Sequence, residues 1–245
     1  MENTETSNEP KILNDSDKFK LEQQNLRLVP EFKANQLEVN AKKYWDLFYK
    51  RNETRFFKDR HWTTREFTEL LNEDNPEKRM IFEVGCGVGN FIFPLINENL
   101  NFFIYACDLS PRAVDLVKRN PLYNTEKIEV FQCDITTETV FEKIQRDEIL
   151  FILLKPGGCL LFRDYGLHDM AQIRFKAGHK ISDNFYMRQD GTRSYYFSTE
   201  IMEDLFIKAG FEIASNCYIH RRTINKKENV DVPRIFLQSK VMKPR

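Results

Sequence analysis

Three of the chain's nine glycines fall within five residues, in Glu83-Val84-Gly85-Cys86-Gly87-Val88-Gly89-Asn90. An apolar run over 80–84 leads into this loop and a second, over 91–97, leaves it. A strand that ends in Gly-x-Gly-x-Gly and opens a helix makes a cradle for an anion or a nucleotide. Glycine permits the tight turn and lets a ligand approach the backbone, and the helix start offers free N–H groups. A dinucleotide fingerprint, G-x-G-x-x-G, needs glycine at position 90, where this chain has Asn90. Two carboxylates extend the pattern. Asp108 lies 19 residues beyond Gly89, the spacing at which a carboxylate accepts both hydroxyls of a ribose. Asp134 closes the next apolar run and is placed for an adenine edge, with Ile135 against the ring face. The same residues also suit a turn required only for packing, with Asp108 and Asp134 as helix caps.

The elements that must position these groups alternate. Strands are predicted over 80–84, 102–107 and 128–133, and helices over 91–97 and 111–119, the latter with Pro111 in its first turn. Strands joined by helices through tight loops specify a parallel sheet covered by helices. Lys155-Pro156-Gly157-Gly158 turns into a strand over 159–163. A helix over 199–209 and two strands, 211–219 and 234–241, end the chain, with an antiparallel last strand. Residues 1–16 are acidic and polar and read as disordered. Residues 17–71 read as a helical segment with a basic, aromatic middle; between Lys42 and Arg65 it has eight Lys/Arg against three Asp/Glu. A polar linker over 72–78 precedes a domain over 79–245.

Lys+Arg and Asp+Glu both number 37, so any nucleic-acid surface must come from local clustering. Five dispersed cysteines without a C-x-x-C pair point away from structural zinc and disulfides, toward a reducing compartment. No run of about 18 apolar residues is present to span a membrane. The first residues lack the apolar core of a secretory signal.

The pattern E-x-G-x-G-x-G matches motif I of the class I S-adenosylmethionine-dependent methyltransferases. Longer blocks narrow the match. They are Trp45-Asp46-x-Phe48-Tyr49, Phe56-Phe57-Lys58-Asp59-Arg60-His61-Trp62-Thr63, Phe131-Gln132-Cys133-Asp134, Leu161-Phe162-Arg163-Asp164-Tyr165-Gly166 and Arg188-Gln189-Asp190-Gly191-Thr192-Arg193-Ser194-Tyr195. With these the chain resembles the methyltransferase-like enzymes that form 3-methylcytidine in the tRNA anticodon loop. Among them it most resembles the one acting at position 32 of serine tRNAs.

The resemblance implies a Rossmann-like α/β fold with S-adenosyl-L-methionine as cofactor. It implies that Trp45 and Tyr49 belong to a segment folded over that cofactor, with Gly85 at the methionine moiety, Asp108 at the ribose and Asp134 with Ile135 at the adenine. Spacing alone leaves Trp45 and Tyr49, i and i+4 on a helix, equally suited to a core. The resemblance further implies tRNA as partner, seryl-tRNA synthetase as an assisting protein, no membrane and no metal. The location it implies is the cytoplasm, with the nucleus as an addition. Lys50–Arg65, Arg163, Arg174, Lys176, Arg188 and Arg193 are candidate tRNA contacts, since arginine interleaved with aromatics suits phosphate pairing and stacking of unpaired bases. Cytosine N3 is already nucleophilic at neutral pH, so catalysis would rest on positioning and water exclusion, and no side chain is named as a base.

One stretch departs from the family. Only 20 residues separate Asp134 from Lys155, where a crossover, a fourth strand and a further helix are needed. Each crossover takes about a dozen residues, so roughly one strand and most of a helix are missing. Residues 149–154 read as the end of the following helix joined directly to 142–147. Losing that strand would open the pocket floor, which keeps two alternatives in play. One is a catalytically impaired, shortened relative that binds tRNA or a partner protein. The other is a methyltransferase with a non-RNA substrate.

Overall fold

In the computed structural model, residues 5–71, 79–137, 154–225 and 230–245 are described. The expected linker over 72–78 and the junction over 142–153 lie outside them. In chain order the elements begin with β1 (Glu5–Ser7), α1 (Asp15–Asn25), α2 (Glu31–Val39), α3 (Ala41–Asn52) and α4 (Thr63–Glu66). Next come β2 (Arg79–Val84), α5 (Ile92–Asn97), β3 (Phe102–Asp108), α6 (Pro111–Lys118) and β4 (Ile128–Gln132). After these follow β5 (Cys159–Tyr165), α7 (Met170–Ile173), β6 (Lys180–Ser182), β7 (Phe185–Met187) and β8 (Arg193–Tyr195). The chain ends with α8 (Thr199–Lys208), β9 (Glu212–Asn225) and β10 (Val230–Met242). Two compact units result, residues 39–147 and residues 1–38 with 148–245.

Unit 39–147 is built on a parallel sheet in the order β2-β3-β4, with Val84 level with Cys107 and Asp108 level with Gln132. The central strand β3 buries Phe102, Ile104, Ala106 and Cys107, as a strand with a neighbour on each side and helices nearby must. Ser110 caps α6 by accepting from the Ala113 N–H, and Pro111 supplies the preset φ of the first turn. The apolar stripe Ala113, Val114 and Val117 is buried. The expected βαβα alternation is therefore present.

The other unit holds an antiparallel sheet, β1-β9-β10-β5, and a small one, β6-β7-β8. The hairpin β9–β10 is the late antiparallel pair the sequence predicts, and α8 packs Met202 and Phe206 with Tyr218, Ile235, Leu237 and Val241 of that sheet. Asp169 fixes the turn after β5. It is fully buried, caps α7 through the Ala171 N–H at 2.8 Å, and accepts from Ile235 N at 2.7 Å and Arg234 Nε at 3.0 Å.

Two expectations change. Residues 1–16 are not wholly disordered: Glu5–Ser7 pair with Tyr218–His220 of β9, Asn14 caps α1, and Lys11 meets Asp17 at 2.7 Å. The outer edge of β9 offers ladder groups that even a polar tripeptide satisfies, and composition is blind to that. The helical segment over 17–71 is also not one unit, because the division falls between Glu38 and Val39. Among the described residues, β2 and β5 each end a sheet, with β3 and β10 as their respective neighbours.

Asp169→Ala would strand the Arg234 guanidinium and two N–H groups in the interior. Urea unfolding should show it less stable by about 3–5 kcal/mol, with loss confined to well under 1 kcal/mol excluding an anchoring role.

Candidate functional site

The glycine loop folds as the sequence predicts. Gly85, Gly87 and Gly89 take φ of +70°, +55° and +86°, a region costly for residues with a Cβ. The N–H groups of Gly85 and Cys86 both donate to the Cys107 carbonyl, at 2.8 and 3.0 Å, so the turn is stitched to the end of β3. Each glycine faces something different. A Cβ at Gly89 would strike the Phe93 ring at 2.4 Å and one at Gly87 the Tyr49 hydroxyl at 2.8 Å, whereas one at Gly85 would meet open space. The cradle is therefore open at Gly85 and closed behind Gly87 by α3.

Asp108 joins this loop from below. It is 8% exposed, and its two oxygens accept from Gly87 N (2.9 Å) and Ser110 N (2.8 Å). Burial pushes its carboxyl above the usual range, and the N–H donors of Ser110, Gly87 and Leu109 pull it back. With three N–H donors on a carboxylate of about four lone-pair sites, acceptor capacity for a ligand hydroxyl remains. The helix-cap alternative does not apply to Asp108, because Ser110 caps α6 and Asp108 holds the turn that precedes it.

Trp45 and Tyr49 come to the loop together. Their rings stack at 6.3 Å and 29°, and Tyr49 packs with Phe48, Val88 and Ala113. Tyr49 is buried, and burial, then the neighbouring Asp108, raises its phenol well above the ordinary value. Core packing and loop contact are one arrangement here. Asp134 and Ile135 follow Cys133, whose N–H donates to the Asp108 carbonyl at 3.0 Å. Both are exposed, and the Asp134 side chain accepts from Thr136 N and Oγ1 at 3.0 and 2.7 Å, which holds its carboxyl below the usual range. It forms a local turn, with Ile135 presented to solvent.

Three further residues had no individual role in the sequence reading. Asp46, one position after Trp45, accepts from Ser110 Oγ (3.0 Å) and Arg112 N (3.1 Å), tying α3 to the start of α6. Asn90 reaches residues 57–60 by hydrogen bonds. Glu83 has one carboxylate oxygen, Oε2, sealed from solvent without a hydrogen-bond partner. Burial pushes its carboxyl up to about 8, against the pull of Arg60. The only legible signal for Glu83 was its place at the head of the loop motif. The open turn at Gly85 and the buried acceptor Asp108 at the same loop suit a hydroxyl-bearing nucleoside, so these residues fit the nucleoside of S-adenosylmethionine.

In the other unit, Arg163 lies over Phe236 at 4.9 Å, while Arg188 and Arg234 lie over Tyr165 at 5.7 and 5.1 Å. Tyr165 in turn stacks on Phe236 at 5.9 Å. Arg193 pairs with Glu38 and covers Phe185, so its charge is already engaged. Arg174 and Lys176 are exposed. Among the described residues, no group of three or more His, Cys, Asp or Glu is arranged to hold a metal, and no helix is long and apolar enough to cross a membrane.

Residues 52–216 match the family model described as a methyltransferase domain. The chain is 52% identical to the tRNA N(3)-cytidine methyltransferase METTL6 of Mus musculus over 242 residues, covering 89% of this chain and 86% of the mouse protein. It is 34% identical to METTL2 of Xenopus tropicalis, with 92% of this chain and 84% of that protein covered. A solved S-adenosylmethionine-dependent methyltransferase of Anabaena variabilis shares the fold, with a TM-score of 0.57 at 14% identity, covering 83% of this chain and 95% of that one. Since 89% of 245 residues is about 218, the 242 aligned positions of the mouse protein leave about 24 without a counterpart here.

Gly87→Ala should destabilise the chain by about 2 kcal/mol or more, from the left-handed backbone and the Tyr49 clash. Adding Tyr49→Phe should recover the steric share, and a thermal melt of the double variant no better than the single would exclude the contact. Glu83 gives a pH signature. Because its carboxyl is raised, its contribution to stability is complete below pH 4.5 and is lost as pH rises through 8. Glu83→Gln should therefore gain on the native chain between pH 5 and 8.5 in urea unfolding; a pH-independent difference counts against burial of the charge.

Proposed function

The chain belongs to the family of tRNA N(3)-cytidine methyltransferases, and we propose that it methylates N3 of a cytidine at position 32 in the anticodon loop of serine tRNAs. The observation that carries the reading is α3 packed onto the glycine turn, with Tyr49 against Gly87 and Asp108 beneath. S-Adenosylmethionine would supply an electrophilic methyl group on sulfur. The open turn at Gly85 would take the methionine end, and the free lone pairs of Asp108 the ribose hydroxyls. Trp45 and Tyr49 would exclude water from that side, and Ile135 offers an apolar face for the adenine. The cytosine N3 lone pair forms the new N–CH3 bond as the C–S bond breaks, so the protein positions and dehydrates the reactants. The base must be splayed out of its loop, which an unpaired anticodon-loop nucleotide permits at small cost. The guanidinium groups of Arg163 and Arg188, laid over Phe236 and Tyr165, support an RNA substrate, since planar charge beside aromatic rings suits phosphates and unpaired bases. Seryl-tRNA synthetase is the assisting partner to test, and the cytoplasm the compartment.

A second reading has its own support. With β2 and β5 at sheet edges among the described residues and about 24 aligned positions lacking, the chain would be a shortened relative that binds RNA with weakened donor affinity.

Purified serine tRNA incubated with the chain and S-adenosylmethionine, with and without seryl-tRNA synthetase, should yield 3-methylcytidine by mass spectrometry. Asp108→Ala should reduce that yield about a hundredfold, as expected for loss of a buried charged acceptor. No product under either condition, with salt-sensitive tRNA binding intact and donor binding at least tenfold weaker than that of a full-length relative, would establish the second reading instead.

A further inference from the structure

Between α3 and α4 the chain runs through residues 53–62 without regular structure. Phe56 and Phe57 anchor one side of this segment on Phe48, at 4.9 and 5.9 Å. The other side carries Lys58, Asp59, Arg60 and His61, all exposed. Apolar packing cannot place these four.

Asn90 reaches them. Its side-chain Nδ2 donates to the Asp59 carboxylate at 3.0 Å and toward the Phe57 carbonyl at 3.4 Å, and its own carbonyl accepts from the Arg60 N–H at 2.7 Å. The Arg60 carbonyl then accepts from Thr63 N at 3.1 Å, passing the constraint into α4. One residue of the glycine loop thus contacts three of four consecutive residues of the basic aromatic segment. Asparagine suits the task because it donates to a carboxylate and a carbonyl at once while its backbone accepts. Aspartate would meet Asp59 with like charge, and glycine would offer no side chain.

We propose that Asn90 is a positioning residue that fastens residues 57–60 to the glycine loop, so that the basic aromatic segment and the cofactor cradle are ordered together. Position 90 is where a dinucleotide fingerprint would have its third glycine. In this chain that position serves a contact within the protein. Asn90 acts through the segment and touches no reacting atom.

The test reads the segment directly. Trypsin cleaves after Lys58 and Arg60, which are exposed and whose cleavage requires local opening. Without any cofactor, Asn90→Ala should be cut there about tenfold faster than the native chain, the effect of one lost charge-assisted hydrogen bond. Cleavage after Lys18, in the other unit, should stay the same. The double variant Asn90→Asp with Asp59→Asn reverses donor and acceptor and should restore most of the protection, while Asn90→Asp alone should not. Where methyl transfer is followed, Asn90→Ala should raise KM for S-adenosylmethionine with kcat at saturating donor retained. Unchanged cleavage after Lys58 and Arg60, an equal rise after Lys18, or no rescue by the double variant would overturn the proposal. The cleavage readings hold whether or not the chain methylates tRNA, so they fail separately from that function.

Discussion

Two backbone N–H groups, from Gly87 and Ser110, converge on the buried carboxylate of Asp108. One belongs to the glycine turn after β2 and the other to the cap of α6 after β3, so a single side chain fixes the relative height of two successive βα junctions. A carboxylate in this position is costly to bury unless its oxygens are met by donors, and the loop supplies them. Positive φ at Gly85, Gly87 and Gly89 follows from the same requirement, since the turn must bring its N–H groups back toward the end of β3. The Ser110 cap, the Asp46 contact to Ser110 and Arg112, and the seating of Tyr49 on Gly87 all build on that turn.

The site so formed divides its labour by charge. Asp108 has donors for both oxygens and remains an acceptor. Glu83 has an oxygen sealed from solvent without one, and its burial favours the protonated form. In the second unit, arginines are laid over Tyr165 and Phe236, and Arg234 is held by the Asp169 anchor.

The shortened stretch after Asp134 bears on all of this. β2, the strand that delivers Glu83 and the glycine turn, has β3 as its neighbour among the described residues. Against the mouse relative the alignment is about 24 positions longer than the part of this chain it covers.

Much of the site is legible in the residues themselves. Glycine spacing and the 19 residues from Gly89 to Asp108 report a βα turn and the carboxylate that serves it, because positive φ and the length of a βαβ unit are local constraints. Local too is the Pro111 helix start. The chain's own pattern left Tyr49 open between core and cofactor lid, and packing seats it in the core against the turn at Gly87. It placed Asp134 at an adenine edge, where the fold shows a carboxylate engaged with its own Thr136. The β1 strand, the Asp46 contact and the reach of Asn90 to Asp59 lay beyond it. Those contacts join residues from 31 to more than 200 positions apart, and nothing in their local sequence raises them above ordinary surface polarity. Spacing determined which groups could meet a ligand; only the folded chain decided which polar side chains would meet each other.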